Sequence, residues 1–285
     1  MQKTINGVVY KPEDDTLYEW IYRRLQMSVA KYVNASPRSP AWSVGKLEFA
    51  CGRNSFCNMR YDFDPERPTY INANLEGYEN MFAGMLLHEK IEILPIQELH
   101  VGVYDDQEGD WIMSGHIDDI YYDGKILLDK KTLKNVQTYT SRYLPRTMHC
   151  RQTNYYRGLV KFGIAKDDIV DTNGFVVVEQ GEPIDWDIKK QIILYMAMNG
   201  VLTKNFITEP SAEWLDIPTR VVFNDLMNKR NYIKHCLEDD EIPPSAPGWE
   251  CQYCAWSAFC FNNDGYDDFT MPHEMETILE GLPNL

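Results

Sequence analysis

The sequence lacks the long apolar runs that would mark a membrane protein. Its longest apolar stretch, residues 192–198, is far shorter than the roughly 18 residues needed to cross a bilayer. Residues 1–15 lack the basic-then-apolar pattern of a secretion signal. Internal repeats and low-complexity tracts are also absent, which argues against solenoids and disordered chains. We therefore expect a globular, cytoplasmic protein with no membrane contact.

Basic residues are scarce overall, but they are concentrated in one segment. The 285-residue chain carries 28 basic and 43 acidic residues, a net charge of −15, which on average disfavours binding to a polyanion. Residues 125–161 differ, because they hold nine basic residues and a single acidic one, with tyrosines at 139, 143, 155 and 156. Such a segment can attract a nucleic acid and stack on its bases. The alternative is a solvated helix face with buried tyrosines.

Hydrophobic periodicity predicts an α/β fold with a mixed central sheet flanked by helices. We expect helices over residues 44–50, 79–91, 148–162, 185–199 and 221–237. Strands are expected over residues 93–104, 111–122, 125–129, 174–179 and 213–217, with an Asp123-Gly124 turn making a hairpin of the second and third. The whole chain, 1–285, is expected to form a single domain.

The predicted hairpin carries two carboxylates and a lysine. Asp129 and Lys131 point to the same face because side chains alternate along a strand, and the hairpin places Asp118 beside them. Two carboxylates with a lysine suit Mg²⁺ or Mn²⁺, which can polarise a phosphodiester and activate water. An isolated Asp-x-Lys is more often a surface ion pair, so the motif needs support from its surroundings.

That support comes from the order of four motifs along the chain. They are Gly84-Met85-Leu86-Leu87-His88-Glu89, Gly115-His116-Ile117-Asp118, Asp129-Lys130-Lys131-Thr132 and Gln152-Thr153-Asn154-Tyr155-Tyr156. This set resembles the RecB-like branch of the PD-(D/E)xK nuclease superfamily, over about residues 43–260. The resemblance implies a restriction-endonuclease-like fold with its nuclease core at residues 79–240.

The resemblance also implies a role for each matching residue. The expected ligands of Mg²⁺ or Mn²⁺ are His88, Asp118, Asp129 and the main-chain carbonyl of Lys130. Lys131 is the expected catalytic lysine, and Gln152 and Tyr156 contact the DNA backbone or steady the active site.

Two alternatives remain open in this assignment. Asp119 replaces Asp118 if the register shifts by one residue. A second Gln-x-x-x-Tyr, at Gln191 and Tyr195, lies farther from Lys131 and is expected to belong to a core helix.

A cluster of cysteines near the C-terminus predicts a second, structural metal site. Cys251, Cys254 and Cys260 form a C-x₂-C-x₅-C run, which fits zinc or an iron–sulfur cluster. Here the sequence resembles the CRISPR-associated RecB-like exonucleases and the AddB nuclease domain, which bind a [4Fe–4S] cluster through three C-terminal cysteines and one N-terminal cysteine.

Residues 43–53 resemble the segment that carries the N-terminal cysteine in that family, with Gly52 in place of the usual proline. The resemblance makes Cys51 the fourth ligand, with Cys57 as a competitor, so that residues 34–60 and 245–262 form a clamp between the chain ends. Cys150 and Cys236 match no motif and are expected to be buried thiols.

The resulting hypothesis is a metal-dependent DNA nuclease with a structural [4Fe–4S] cluster. It predicts an exonuclease acting on single-stranded DNA or duplex ends, with partners in recombination or CRISPR adaptation. Basic residues of the 125–161 segment would guide the strand, with expected DNA contacts from Arg142, Arg146, Arg151 and Arg157. The alternative is a non-catalytic or partner-activated DNA-binding subunit on the same fold, with a zinc or iron–sulfur site.

Overall fold

The computed structural model describes residues 3–5, 8–10, 42–61, 84, 86, 91, 93–107, 109–123, 125–133, 144–197, 206–244, 246 and 256. Ten strands lie in these ranges: β1 (Lys3–Ile5), β2 (Val8–Tyr10), β3 (Ile96–Asp105), β4 (Asp110–Tyr121), β5 (Ile126–Leu133), β6 (Ile164–Ala165), β7 (Ile169–Val170), β8 (Val176–Val178), β9 (Lys190–Ala197) and β10 (Phe206–Thr208). The helices are α1 (Val44–Leu47), α2 (Gly52–Tyr61), α3 (Thr147–Phe162), α4 (Ala212–Asp216) and α5 (Thr219–Glu238).

A mixed six-stranded sheet forms the centre of the fold, in the order β10-β9-β5-β4-β3-β6. Strands β5 and β9 are parallel, and every other neighbouring pair in this sheet is antiparallel. Parallel strands need a crossover connection, and here the connection from β5 to β9 contains α3. The fold is therefore α/β, as the periodicity of the sequence predicts.

Helix α3 covers one face of the sheet, contacts β3, β4 and β5, and packs against α5. The main core lies between them and includes Val101, Met113, Ile117, Leu159 and Leu226, all at most 2% exposed. The opposite face is covered in part by Ile91 and Leu94, which pack on a second cluster formed by strands β5 and β9. The two faces of β4 and β5 therefore have different environments, which matters for the assignment of their acidic residues.

Several predicted elements agree with the structure, and two are wrong. The predicted strands at 93–104, 111–122 and 125–129 correspond to β3, β4 and a longer β5, and helices 148–162 and 221–237 correspond to α3 and α5. Of the predicted helix at 79–91, Gly84 and Leu86 are helical, and residues 79–83, 85 and 87–90 lie outside the described residues.

Among the described residues, no helix has the length and apolar character needed to cross a membrane.

Residues 190–197 form strand β9 instead of the predicted helix over residues 185–199. The strand lies between β5 and β10, and its last five residues, 193–197, are all buried. A strand buried on both faces loses the alternation of apolar and polar residues and cannot be distinguished from a buried helix by periodicity. Residues 213–217, predicted as a strand, lie mostly in α4.

Candidate metal and phosphodiester site

The structure brings Asp118, Asp129 and Lys131 together on β4 and β5. The Asp118 carboxylate accepts a hydrogen bond from the main-chain N–H of Lys130. Lys131 Nζ lies 2.9 Å from Asp129 Oδ1 and 2.8 Å from Oδ2. Asp129 is 1% exposed, so this Asp-x-Lys is not a surface ion pair.

Asp119 and Lys130 form a separate ion pair that resolves the ambiguity in register. Lys130 Nζ lies 3.0 Å from Asp119 Oδ2 and donates to the Ile91 carbonyl at 2.9 Å. Asp119 Oδ1 accepts from the main-chain N–H groups of Ile93 and Leu94, at 3.2 and 3.1 Å. Both charged residues are almost fully buried. Asp119 therefore anchors residues 91–94 to the sheet, and Asp118 is the residue next to Asp129 and Lys131.

The charges around Lys131 keep its side chain ionised. Burial would lower the pKa of the ammonium group, but Asp129, Asp118 and Glu48 act in the opposite direction and raise it above its usual value. A lysine that stays positive inside the protein can stabilise negative charge on a phosphate. Three carboxyl groups therefore act electrostatically on the Lys131 ammonium group, and Asp129 also contacts it directly.

Gln152 and Tyr156 lie one turn apart on α3, and Tyr156 interacts electrostatically with the carboxyl groups of Asp118 and Asp129. Gln152 Nε2 donates to Tyr156 Oη at 3.2 Å. Burial raises the pKa of Tyr156 well above its usual value, and Asp129, Asp118 and Glu48 raise it further, so the phenol stays protonated. Gln152 Oε1 is buried without a hydrogen-bond partner among the described residues. A buried acceptor without a partner can accept a hydrogen bond from a bound molecule such as water.

Gly115, the first residue of the Gly-x-x-Asp motif, has a packing role. A Cβ at this position would lie 2.9 Å from Tyr156 Cε1 and 3.1 Å from Leu159 Cδ1. The absence of a side chain lets α3 approach β4 closely, and this approach places Tyr156 near Asp118. The motif therefore combines a metal-ligand candidate with the close contact that positions its neighbour.

The second Gln-x-x-x-Tyr pair has a structural position on β9. Gln191 Nε2 donates to the Thr153 carbonyl at 3.2 Å and to Asn154 Oδ1 at 3.0 Å. Tyr195 Oη lies 2.8 Å from His149 Nδ1 and also accepts the main-chain N–H of Arg146. These contacts join β9 to α3. The pair belongs to the core, as predicted, but to a strand rather than a helix.

Glu48, which was not identified as a site residue from the sequence, joins the same group. Burial raises the pKa of its carboxyl to about 7, although Lys131, Lys229 and Arg151 act to lower it, and Asp129 contributes to the increase. The sequence places Glu48 only in the segment around Cys51. A glutamate in such a segment carries no signal by itself, because it belongs to none of the four nuclease motifs.

Two of the four arginines predicted to contact DNA have structural partners instead. Arg157 is 3% exposed and donates to the main-chain carbonyls of Leu215 and Ile217 at the end of α4. Arg151 donates to the Glu48 carbonyl. The prediction that Arg157 binds DNA is therefore wrong for this structure, because its guanidinium group is buried among carbonyls. Arg146 precedes α3 and is half-buried, and Arg142 lies outside the described residues.

Several predicted ligands cannot be placed. His88, Cys251, Cys254 and Cys260 lie outside the described residues, although Gly84, in the same motif as His88, is helical and close to Thr132 of β5. Among the residues that are described, no group of three or more His, Cys, Asp or Glu side chains has metal-binding geometry.

The carboxyl groups at this site nevertheless fit a divalent cation in their chemistry. Asp118, Asp129 and Glu48 supply the oxygen donors that Mg²⁺ and Mn²⁺ prefer. In the present arrangement the ammonium group of Lys131 contacts both oxygens of Asp129. The ligand roles of His88, Asp118, Asp129 and the Lys130 carbonyl stay predictions.

One described residue of the C-terminal cysteine segment contacts helix α2. Trp256, which lies between Cys254 and Cys260 in the sequence, donates from Nε1 to Asn58 Oδ1 at 2.5 Å. Its ring packs on a cluster of Phe56, Cys57, Ile233 and Cys236. At the other end of α2, Arg53 Nε donates to the Pro243 carbonyl at 3.0 Å. Pro243 and Trp256 thus contact opposite halves of α2, a helix that begins next to Cys51 and contains Cys57.

The four described cysteines are free thiols in different environments. Cys57 is fully buried, Cys150 is 2% exposed and Cys236 is 7% exposed, whereas Cys51 is half-buried at the start of α2. The burial of Cys150 and Cys236 agrees with the prediction for them. The choice between Cys51 and Cys57 as a cluster ligand stays a prediction.

Comparisons with known proteins give little further information. No protein-family model matches the chain, and no curated protein matches it significantly. A crystal structure of SSO0001 is similar, with 14% sequence identity over 85% of this chain and 96% of that chain and a TM-score of 0.44. A similarity at this level shows neither a shared family nor a shared activity.

Proposed function

We propose that this protein is a metal-dependent deoxyribonuclease built on a PD-(D/E)xK-like core, acting as an exonuclease on single-stranded DNA or duplex ends. The observation that carries the proposal is the group of Asp118, buried Asp129 and Lys131, with Tyr156 of α3 interacting with both carboxyl groups and held by Gln152. A surface ion pair needs neither the burial of Asp129 nor the hydrogen bond from Gln152 to Tyr156.

Each residue has a distinct part in the proposed hydrolysis. A divalent cation held by Asp118 and Asp129 would polarise the scissile phosphodiester and activate a water for in-line attack. The Lys131 ammonium would stabilise the charge that develops on the phosphate. Tyr156, held by Gln152 and kept protonated, can donate a hydrogen bond to a phosphate oxygen. His88 is proposed to support the cation from its helix.

The activity is tested with end-labelled single- and double-stranded DNA, anaerobically purified protein, and Mn²⁺, Mg²⁺ or EDTA. We expect cleavage that needs the cation, is lost in Lys131→Ala and is retained in Lys189→Ala, whose lysine is 67% exposed. Cleavage that persists in a folded Lys131→Ala protein would place the catalytic centre elsewhere.

One observation favours a second candidate, a partner-activated DNA-binding subunit. Arg151 and Arg157 of the basic segment make contacts within the protein, which leaves fewer cations to hold DNA in a chain of charge −15. A folded protein with a complete cluster that cleaves none of these DNAs would support this candidate. Restoration of cleavage by an added recombination or CRISPR-adaptation protein would then identify the partner.

We also propose a structural [4Fe–4S] cluster held by Cys251, Cys254, Cys260 and either Cys51 or Cys57. The contact of Trp256 with Asn58 supports it, because Asn58 directly follows Cys57 on the helix that begins next to Cys51. Iron and zinc analysis with the visible spectrum separates a brown iron–sulfur protein from a colourless zinc protein. Separate Cys51→Ala and Cys57→Ala proteins should differ, with one retaining iron and colour. If both retain them, the fourth ligand lies elsewhere.

A further inference from the structure

The tyrosine of the second Gln-x-x-x-Tyr pair, Tyr195, lies beside the candidate site. It is the register partner of Lys131 in the parallel pairing of β5 and β9. Side chains of paired residues on neighbouring strands point to the same face of a sheet, so Tyr195 lies on the same face as the lysine. Leu133, two residues after Lys131 on β5, belongs to one buried cluster with Tyr195. Groups that contact the Tyr195 hydroxyl are therefore close to Lys131.

The Tyr195 hydroxyl group joins two residues at the start of α3. It accepts a hydrogen bond from the main-chain N–H of Arg146 at 3.1 Å, and it lies 2.8 Å from Nδ1 of His149. Tyr195 is fully buried, and a phenol has one proton to donate. Among the described residues, His149 Nδ1 is the acceptor available to this proton. Tyr195 therefore donates to Nδ1.

The hydrogen bond from Tyr195 leaves His149 with its own proton on Nε2. A neutral imidazole carries one N–H, and here Nδ1 is the acceptor. Burial lowers the pKa of His149 well below its usual value, and Lys131 and Arg146 lower it further, so the ring stays neutral. The described residues provide no partner for the Nε2–H donor.

A matching acceptor lies one turn further along the helix. His149 and Gln152 are three residues apart on α3, so their side chains are neighbours on one helix face, with Cβ atoms about 5–6 Å apart. Gln152 is buried, and its Oε1 has no hydrogen-bond partner among the described residues. One water molecule can accept from His149 Nε2 and donate to Gln152 Oε1, which gives both groups a partner.

We propose that His149 is a positioning residue of the nuclease site and holds Gln152 through one buried water. The inference rests on the proposed function, in which Tyr156 donates to a phosphate oxygen. Gln152 Nε2 donates to Tyr156 Oη at 3.2 Å, so the Tyr156 proton is left for the phosphate. The hydrogen bonds then run in one direction along a row of five residues, Arg146, Tyr195, His149, Gln152 and Tyr156.

Two substitutions of His149 separate its two hydrogen bonds. His149→Asn places an oxygen at the position of Nδ1 but has no donor at the position of Nε2, so it keeps the bond from Tyr195 and loses the water. His149→Gln reaches the position of Nε2 with an amide N–H but loses the bond from Tyr195. The matched control is His235→Asn, because the His235 side chain is 78% exposed on α5.

We expect opposite effects of the two variants on thermal stability and on single-turnover DNA cleavage with Mn²⁺. His149→Asn should unfold near the wild-type midpoint and cleave on the order of tenfold to a hundredfold more slowly. His149→Gln should unfold at a lower temperature and cleave at a rate near that of the wild type. Wild-type cleavage by His149→Asn overturns the proposal.

A double variant tests whether His149 acts through Tyr156. In a Tyr156→Phe background, His149→Asn should slow cleavage no further, because the hydroxyl group that it positions is absent. A further loss equal to that in the wild-type background overturns the positioning role, since it would show that His149 acts independently of the phenol.

A measurement that does not depend on cleavage tests the contact between His149 and Gln152. Nitrogen-15 NMR of protein labelled on glutamine follows the side-chain amide of Gln152, whose signals are identified by their loss in Gln152→Leu. The signals should shift in His149→Asn and stay in place in His235→Asn. Unchanged signals in His149→Asn overturn the contact. Shifted signals in a wild type that cleaves no DNA overturn the nuclease and the positioning role, and leave the contact intact.

A second pair of variants is decisive if His149→Asn does not fold. His149→Gln and His149→Met have side chains of similar length and both lose the bond from Tyr195, but only glutamine supplies an N–H donor. The Gln152 amide signals should therefore differ between these two variants, and glutamine should support faster cleavage. Equal signals and equal rates overturn the proposal.

Discussion

Replacing Glu48 by glutamine should change the stability of the metal-free protein in a pH-dependent way. In the folded protein the carboxyl group has its pKa raised from 4.5 to about 7, chiefly by burial. The folded state therefore holds this proton more tightly than the unfolded state. The contribution of Glu48 to the free energy of unfolding therefore decreases as the pH rises from 4.5 to about 7, and it does not decrease further at higher pH. Glutamine resembles the protonated carboxyl group at every pH.

The size of the effect follows from the shift in pKa. One unit corresponds to about 1.4 kcal/mol, so a shift of this size amounts to roughly 3 kcal/mol as an upper estimate. Near pH 4.5 the wild type and Glu48→Gln should have similar stability. At pH 8 the variant should be more stable by up to this amount, which corresponds to a midpoint about 6 °C higher for a domain of this size.

The assay is thermal unfolding at matched scan rates from pH 4.5 to pH 8. EDTA is included because a bound cation would stabilise the carboxylate and so reverse the sign of the stability difference. The exposed Glu213→Gln control should show no pH-dependent difference from the wild type. The reasoning is refuted if Glu48→Gln is less stable than the wild type at pH 8. In that case the carboxylate would stabilise the fold through Lys131, Lys229 or Arg151.

Two further substitutions test the packing that supports the site. Gly115→Ala should destabilise the protein by about 1–3 kcal/mol, because the new methyl group would overlap the Tyr156 ring. Gly45→Ala is the control and should not destabilise it, because Gly45 has open space around it. Urea unfolding measures the stability of both variants. Asp119→Ala should destabilise by roughly 3–5 kcal/mol, because it leaves the Lys130 ammonium buried without its partner carboxylate. Asp119→Leu combined with Lys130→Met should recover most of that loss, and a double variant as unstable as Asp119→Ala would contradict this account.

The sequence predicts the parts of the site that depend on local geometry. Asp129 and Lys131 share a face because they are two residues apart on one strand, and the hairpin with β4 brings Asp118 to them. The placement of these three residues needs only strand alternation and one short turn, which are visible in a single sequence. The preference for Gln152 and Tyr156 over Gln191 and Tyr195 depends instead on the resemblance and on the shorter distance along the chain from Lys131, and it stays a prediction.

Features set by distant parts of the chain could not be predicted in this way. The sequence of strand β9 was predicted to be a helix, because burial between β5 and β10 removes the alternation of apolar and polar residues that would identify a strand. Arg157 was predicted to contact DNA because of its charge. The main-chain carbonyls at the end of α4 that accept its hydrogen bonds cannot be identified from the sequence. The electrostatic interaction of Glu48 with Asp129 and Lys131 is likewise not visible in the sequence, because Arg151 and Lys229, from distant helices, hold the backbone around Glu48.

The acidity of the candidate site bears on how the proposed nuclease would hold a polyanion. Asp118 and Asp129 outnumber the single ammonium group of Lys131 with which they interact. Without a cation, this excess of negative charge would repel a phosphate. In the proposed mechanism a divalent cation would therefore bind before DNA, and EDTA should weaken DNA binding as well as cleavage.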